Sequence, residues 1–146
     1  MESSQSYELA DIGERFIALV IDSIIVGIIG GVFGASGNWW GGGLVGFLIG
    51  AVYQWYFLTQ QNGQTLGKKV MNIRVIKTDG GPIRDADAVL RFIGYYINSV
   101  IIGIGWIWAL FDKENRGWHD LIANTYVIKA SSANNVIIDE KRKNTI

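Results

Sequence analysis

The sequence predicts an all-α membrane protein: three membrane-embedded helices, the third crossing or re-entrant, with a short β-like segment at the interface. Three observations carry this expectation. Of 146 residues, 49% are apolar and 18% are charged, against roughly 25% charged in a typical soluble domain. From Phe16 to Gly67, 52 positions, the only charge is Asp22. From Phe92 to Phe111, 20 positions, there is none. A soluble globule of this size would struggle to hide two such blocks.

The first helix is expected over Phe16–Phe33 (FIALVIDSIIVGIIGGVF), 18 residues with Asp22 inside it. At 1.5 Å per residue, 18 to 20 residues cover about 27–30 Å, a hydrocarbon thickness. The leader Met1 to Glu14 holds four acids and no Lys or Arg, the wrong polarity for a signal peptide. Within residues 1–15, Tyr7 to Arg15 suits a short amphipathic helix with Leu9, Ile12 and Phe16 on one face. The second helix is expected over Gly41–Leu58, also 18 residues. Trp39 and Trp40 stand at one end, and Tyr53, Trp55, Tyr56 and Phe57 at the other, as interfacial belts do.

Thr59 to Arg91 is polar, and Val70–Lys77 within it alternates and is β-branched before the turn residues Thr78–Pro82. A second β-like run, Thr125–Lys129, follows the third segment, Phe92–Phe111. With three crossings and the N-terminus inside, Arg15, Lys68, Lys69, Arg74, Lys77, Arg84 and Arg91 lie inside, against Lys113, Arg116 and Lys129 outside. That bias places the N-terminus in the cytoplasm. If the third segment instead dips in and returns at Gly103 and Gly105, all ten basic residues lie inside. Such backbone is tolerated where protein surrounds it. A sheet joining the two β-like runs needs both on one side and favours re-entry. The membrane domain is thus expected over residues 9–129, followed by a polar, frayed tail over 130–146.

Gly accounts for 19 positions, about twice the usual ~7%. It recurs at spacings of four: Gly27 with Gly31, Gly30 with Gly34, and Gly42, Gly46, Gly50 in series. Small residues let helices approach in lipid, where apolar burial drives little association. Packing within the fold is the simpler reading; contact between copies in a homo-oligomer is the sharper one.

Asp22 is the most informative residue. An aspartate at a helix centre costs roughly 2.5–3.5 kcal/mol on insertion scales, and intramembrane acids are functional candidates by default. A structural polar clamp between helices is the alternative. Arg15, seven positions earlier, shares its face but is too distant along the helix for a firm pair. Arg15 is therefore expected to snorkel or meet another acid, and Arg91 to pair with Asp22 or Asp120. Asp85 and Asp87 suit the first turn of a helix. The charged run Asp112–Asp120 reads as a solvated loop. His119 beside Asp120 is a proton shuttle or, more commonly, a structural histidine.

Several classes are excluded by what the chain lacks. Thirteen basic and 13 acidic residues cancel, so no field calls for nucleic acid. With no Cys and a single His, thiolate or His-rich metal sites and a cysteine nucleophile have no basis. No cofactor or metal is expected, and no enzymatic activity. Gly63–Lys69 (GQTLGKK) imitates a phosphate loop, but three residues separate its glycines and Lys69 replaces the required hydroxyl. No nucleotide is expected.

Taken in order, several stretches resemble the RDD family of bacterial membrane proteins. They are Arg15–Asp22, Gly63–Lys69, Asn72–Gly80, Val89–Arg91 and Arg116–Val127. The resemblance covers roughly Leu9 to Lys129. It implies that Arg15 opens the first helix, that Asp22 is the intrahelical acid, and that Asp120 is the second, with Asp112 as competitor. It also implies a bacterial cytoplasmic-membrane location and transport, with sodium/proton antiport proposed for some members. The expected function is monovalent cation/proton exchange with Asp22 and Asp120 as ion or proton sites and Arg15, Arg91 and His119 as charge partners. The alternative is a non-transporting accessory or scaffold subunit whose Arg and Asp groups only lock helix packing.

Overall fold

The computed structural model describes residues 7–34, 39–101 and 103–133. Two long helices, α1 (Ile12–Gly34) and α2 (Trp39–Gln60), are followed by a short α3 (Leu66–Val70) and the strand β1 (Ile73–Lys77). Then come α4 (Asp85–Val100), α5 (Ile104–Phe111), α6 (Trp118–Ala123) and β2 (Thr125–Lys129). The chain is mostly helical with one two-stranded sheet.

Both long helices follow the apolar segments, and they pack antiparallel. A Cβ at Gly30 would lie 3.5 Å from Gly46 Cα, and one at Gly50 would meet Val26 and Phe92. Around Gly27, Gly31 and Gly46 a Cβ would meet nothing within 4 Å. Close approach is therefore made at Gly30 and Gly50, while Gly27 and Gly31 leave space rather than contact. The surroundings of Gly34 and Gly42 and the side chains of Trp39 and Trp40 lie outside what the structure describes.

The outer faces of these helices display Phe16, Ile24, Ile28, Val32, Leu44, Leu48 and Val52, each more than half exposed. Water does not tolerate so broad an apolar surface. Among the described residues, one helix, over Ile12–Val32, is long and apolar enough to cross a membrane.

The compact core lies at the other end of the molecule, beneath the sheet. There Ala10, Ala18, Leu58, Ile73, Val75, Ile83, Ala88 and Val127 form one buried cluster. Antiparallel β1 and β2 pair Ile73 with Lys129 through Lys77 with Thr125. The two β-like runs thus meet, as one of the alternatives required. The N-terminal segment departs from expectation. Its helix begins only at Ile12, and Leu9 forms a β-bridge with Ile128. Ala10 N–H donates to Val127 O and Lys129 N–H to Glu8 O, hydrogen bonds that compete successfully with an isolated turn of helix.

The third apolar segment is not one helix. Gly103 adopts φ 74, ψ 13 between α4 and α5, a left-handed conformation that glycine takes without penalty. The chain then returns to α4: Gly105 lies against Asn98 and Trp118 so tightly that a Cβ would stand 2.5 Å from Asn98 Oδ1. A single straight span is thereby corrected to a turned-back pair. The predicted polar tail lies outside the described residues from position 134 onward.

Candidate functional site

Two buried acidic centres flank the packed end. The first is built on α6, which opens with the Gly117 N–H donating to Asp120 Oδ2 at 3.0 Å. Arg15 from α1 and Arg91 from α4 both donate to the Asp120 carboxylate. Arg91 also donates to Thr125 Oγ1 at the start of β2, and Arg15 to the Asn115 carbonyl. Asp120 is 0% exposed, Arg91 1% and Arg15 5%. Burying two guanidiniums is tolerable only because one carboxylate answers both.

His119 is sealed beside this pair. Its ring stacks on Tyr95 at 4.1 Å and lies 5.2 Å from Trp106. The approach requires Gly94, where a Cβ would stand 2.7 Å from His119 Cα. Arg15 Nη2 lies 3.3 Å from His119 Nε2. A guanidinium only donates, so Nε2 accepts and the neutral ring carries its proton on Nδ1. Burial pushes the His119 pKa down to about 3, with Asp120 opposing and Arg91 and Arg15 reinforcing the shift. For Asp120, burial raises the carboxyl pKa, but His119, Arg91 and Arg15 outweigh it and hold the group below the ordinary range. With His119 neutral near pH 7, the two arginines are the charges that keep Asp120 ionised.

The second centre is Asp22, 3% exposed on α1. Tyr53 Oη on α2 and Gly67 N–H on α3 donate to Oδ1, each at 2.7 Å. Thr65 Oγ1 donates to Oδ2 at 2.5 Å, and Lys68 Nζ stands 4.0 Å from the same oxygen. Thr65 also caps α3, accepting from Lys68 N–H. Gly67 is indispensable to the geometry, since a Cβ there would lie 2.1 Å from Ala18 O and 2.9 Å from Asp22 Cγ. The Gly63–Lys69 loop that imitates a phosphate cradle therefore holds an anion after all: the chain's own carboxylate.

Neither Arg15 nor Arg91 pairs with Asp22: Arg15 meets an acid elsewhere, and Arg91 takes the second of its two expected mates, both arginines converging on Asp120. Asp112 pairs with Arg116 at 3.6 Å, leaving Asp120 as the acid that meets both arginines. The charged run is a partly exposed loop only over Asp112–Arg116; it ends in α6, where His119 and Asp120 are fully buried. Tyr53, Thr65, Gly67 and Lys68 escaped sequence reasoning, although a Thr just after a glycine turn is an available N-cap signal. Asp85 and Asp87 do occupy the first turn of α4, and Asp87 Oδ2 accepts the Arg84 N–H.

Asp22 also lines a cavity of about 760 Å³ between α1, α2 and α4. Ser23, Tyr53 and Gln54 add polar groups, Gly27, Gly30, Gly31, Gly46 and Gly50 supply the open glycine wall, and Tyr95 with Trp106 closes the side next to His119. Among the described residues, no group of three or more His, Cys, Asp or Glu side chains converges as a metal site would.

The family model described as the RDD family matches residues 9–124. Over 85 residues the chain is 28% identical to the uncharacterized protein YxaI of Bacillus subtilis, covering 58% of this chain and 56% of that protein. Over 85 residues it is 27% identical to the proline-rich antigen homolog of Mycobacterium tuberculosis, covering 58% and 35%. The uncharacterized protein YckC of Bacillus subtilis is 34% identical over 74 residues, covering 47% and 49%. The chain spans about half the length, or less, of these curated relatives. No solved structure matches it.

Proposed function

We propose a function on the premise that this chain belongs to the RDD family and is a membrane protein: it exchanges a monovalent cation for a proton at Asp22. The reading places it as a multi-pass protein of the bacterial cytoplasmic membrane, N-terminus inside, working as a homo-oligomer without nucleotide, cofactor or catalysis. The observation that carries it is the position of Asp22 on the wall of the 760 Å³ cavity, held by neutral donors.

Neutral hydroxyl and amide donors fix the carboxylate without neutralising it, and Lys68 supplies countercharge from 4.0 Å rather than through a tight hydrogen bond. A cation entering the cavity meets a carboxylate and two hydroxyl oxygens, hard donors suited to it. Exchange at Asp22 keeps the charge of the pocket constant: the cation binds as the Asp22 carboxyl O–H bond breaks and its proton leaves, and on the return step a proton displaces the cation. Asp120 has no such freedom, because two arginines already occupy it, so the exchange is assigned to Asp22 alone. Everted vesicles containing the full chain are expected to show a cation-driven pH change that Asp22→Asn abolishes. An Asp22→Asn variant that exchanges as well as wild type ends this mechanism.

A second reading is favoured by the three donors already on Asp22: the carboxylate caps α3 and locks it to α1, as in an accessory subunit. It predicts no cation-driven flux from wild type and a lower melting temperature for Asp22→Asn.

A further inference from the structure

A small polar pocket, distinct from both acidic centres, lies where the end of α2 meets β1 and the turn that follows it. Its volume is about 190 Å³, and Thr59, Asn62, Arg74, Gly80 and Gly81 contribute to its lining. The turn entering it is left-handed, with φ 55 at Asn62 and φ 75 at Gly63. Gly63 also has no room for a side chain, since a Cβ would lie 2.1 Å from Val75 O. These constraints bring the α2 terminus against β1 and leave Arg74 half-buried between them.

Arg74 is the anomaly. Among the described residues the other buried or half-buried cations have acids: Arg15 and Arg91 share Asp120, Lys68 faces Asp22, and Lys77 faces Asp87. Arg116 pairs with Asp112 and Glu114, and Lys129 with Glu8. Among the described residues no salt bridge reaches Arg74, and its Nε is shielded from solvent without a hydrogen bond. No acid among them lines the pocket. The nearby Asp79 turns its carboxylate onto the Gly81 N–H at 2.8 Å. The carbonyl end of α2 does not answer the charge either: Leu58 O accepts from Gly63 N–H and Trp55 O from Thr59 Oγ1.

A partly desolvated guanidinium without a counter-ion is costly. Its planar fork matches a tetrahedral oxyanion, and the Asn62 amide adds a neutral polar group. The volume falls below the roughly 300–1,000 Å³ of pockets for drug-sized ligands, and so suits a small ion or a headgroup. We propose that the Arg74 pocket binds a phosphate group, presented as inorganic phosphate or by an anionic phospholipid.

The full chain in phosphatidylcholine nanodiscs tests this in two arms, read by thermal melting. One arm titrates inorganic phosphate against a chloride control at equal ionic strength. The other compares discs of phosphatidylcholine alone with discs containing phosphatidic acid. A rise with phosphate identifies the free ion as sufficient, and a rise confined to the phosphatidic acid discs identifies the headgroup. Arg74→Gln should weaken the response about tenfold, while the exposed Arg84→Gln leaves it unchanged. Arginine-selective modification of wild type, mapped by mass spectrometry, keeps the test alive if Arg74→Gln does not fold: phosphate or phosphatidic acid should protect Arg74 and not Arg84. No response in either arm, or equal modification of Arg74 with and without both probes, overturns the proposal.

Discussion

Asp120 and Asp22 are both buried aspartates in one small membrane protein, yet they are held by opposite means. Asp120 is clamped by two full charges from two helices. Asp22 is held by a phenol, a hydroxyl and a backbone amide, with Lys68 at 4.0 Å and a cavity at its side. Charge against charge makes a joint that tolerates no vacancy, whereas neutral donors make a seat from which an ionic partner can be exchanged. On the proposed reading, the contrast assigns stability to Asp120 and exchange to Asp22.

The largest expected effect comes from emptying the closed joint. Asp120→Asn leaves Arg15 and Arg91 buried without countercharge and should cost about 3–5 kcal/mol, read as loss of folded yield and melting temperature in mild detergent. If Asp120→Asn proves harmless, the distinction between the two centres fails.

Acid probes the same joint. The folded pKa of His119 is depressed to about 3, below the roughly 6.5 of an unfolded histidine. The unfolded chain therefore takes up a proton that the native chain refuses. This contribution to stability is present above about pH 6.5 and falls by about 1.4 kcal/mol per pH unit as the pH drops toward 3. Asp120, depressed as well, adds a further loss below about pH 4. Melting temperature against pH should show the first slope in wild type and lose it in His119→Gln.

Steric substitution at the open seat comes next. Gly67→Ala drives a methyl group into Ala18 O and Asp22 Cγ and should cost about 1–3 kcal/mol. Asp22→Asn keeps the shape and one carbonyl acceptor, so its stability loss should stay near 1–2 kcal/mol while cation exchange disappears. Gly27→Ala meets nothing within 4 Å and should change stability by less than about 0.5 kcal/mol. A large loss there in membranes but not in detergent would reveal a partner copy against that face.

Hydropathy made the two long helices legible, because a run of apolar side chains needs no partner to declare itself. The β-branched runs similarly announced β1 and β2, and an acid within an apolar block marked Asp22. What stayed hidden depends on distance along the chain. Spacing along the helix ruled out Asp22 as a firm mate of Arg15, but nothing local named Asp120 for it or chose between Asp22 and Asp120 for Arg91, since periodicity reports faces and not the tertiary pairing of faces. The break at Gly103 was visible only as one of two alternatives, and the chain there is indeed two helices, with Gly105 packed back on Asn98 and Trp118. Tyr53 read as an interfacial aromatic because its hydroxyl finds a use only when α3 folds back over α1. Leu9 and Ala10 were drawn into the sheet by backbone pairing that no amphipathic pattern encodes.

Asp120 follows Arg15 by 105 positions. At about 5–20 residues per second, the first helix of a growing chain waits several seconds for the carboxylate that will neutralise it. Until then its guanidinium has water and lipid phosphates for company, and the finished joint closes only after α6 leaves the ribosome. A chain released before α6 would retain the apolar hairpin but lack its fastening, giving the cell a chemical mark by which an unfastened copy differs from a fastened one.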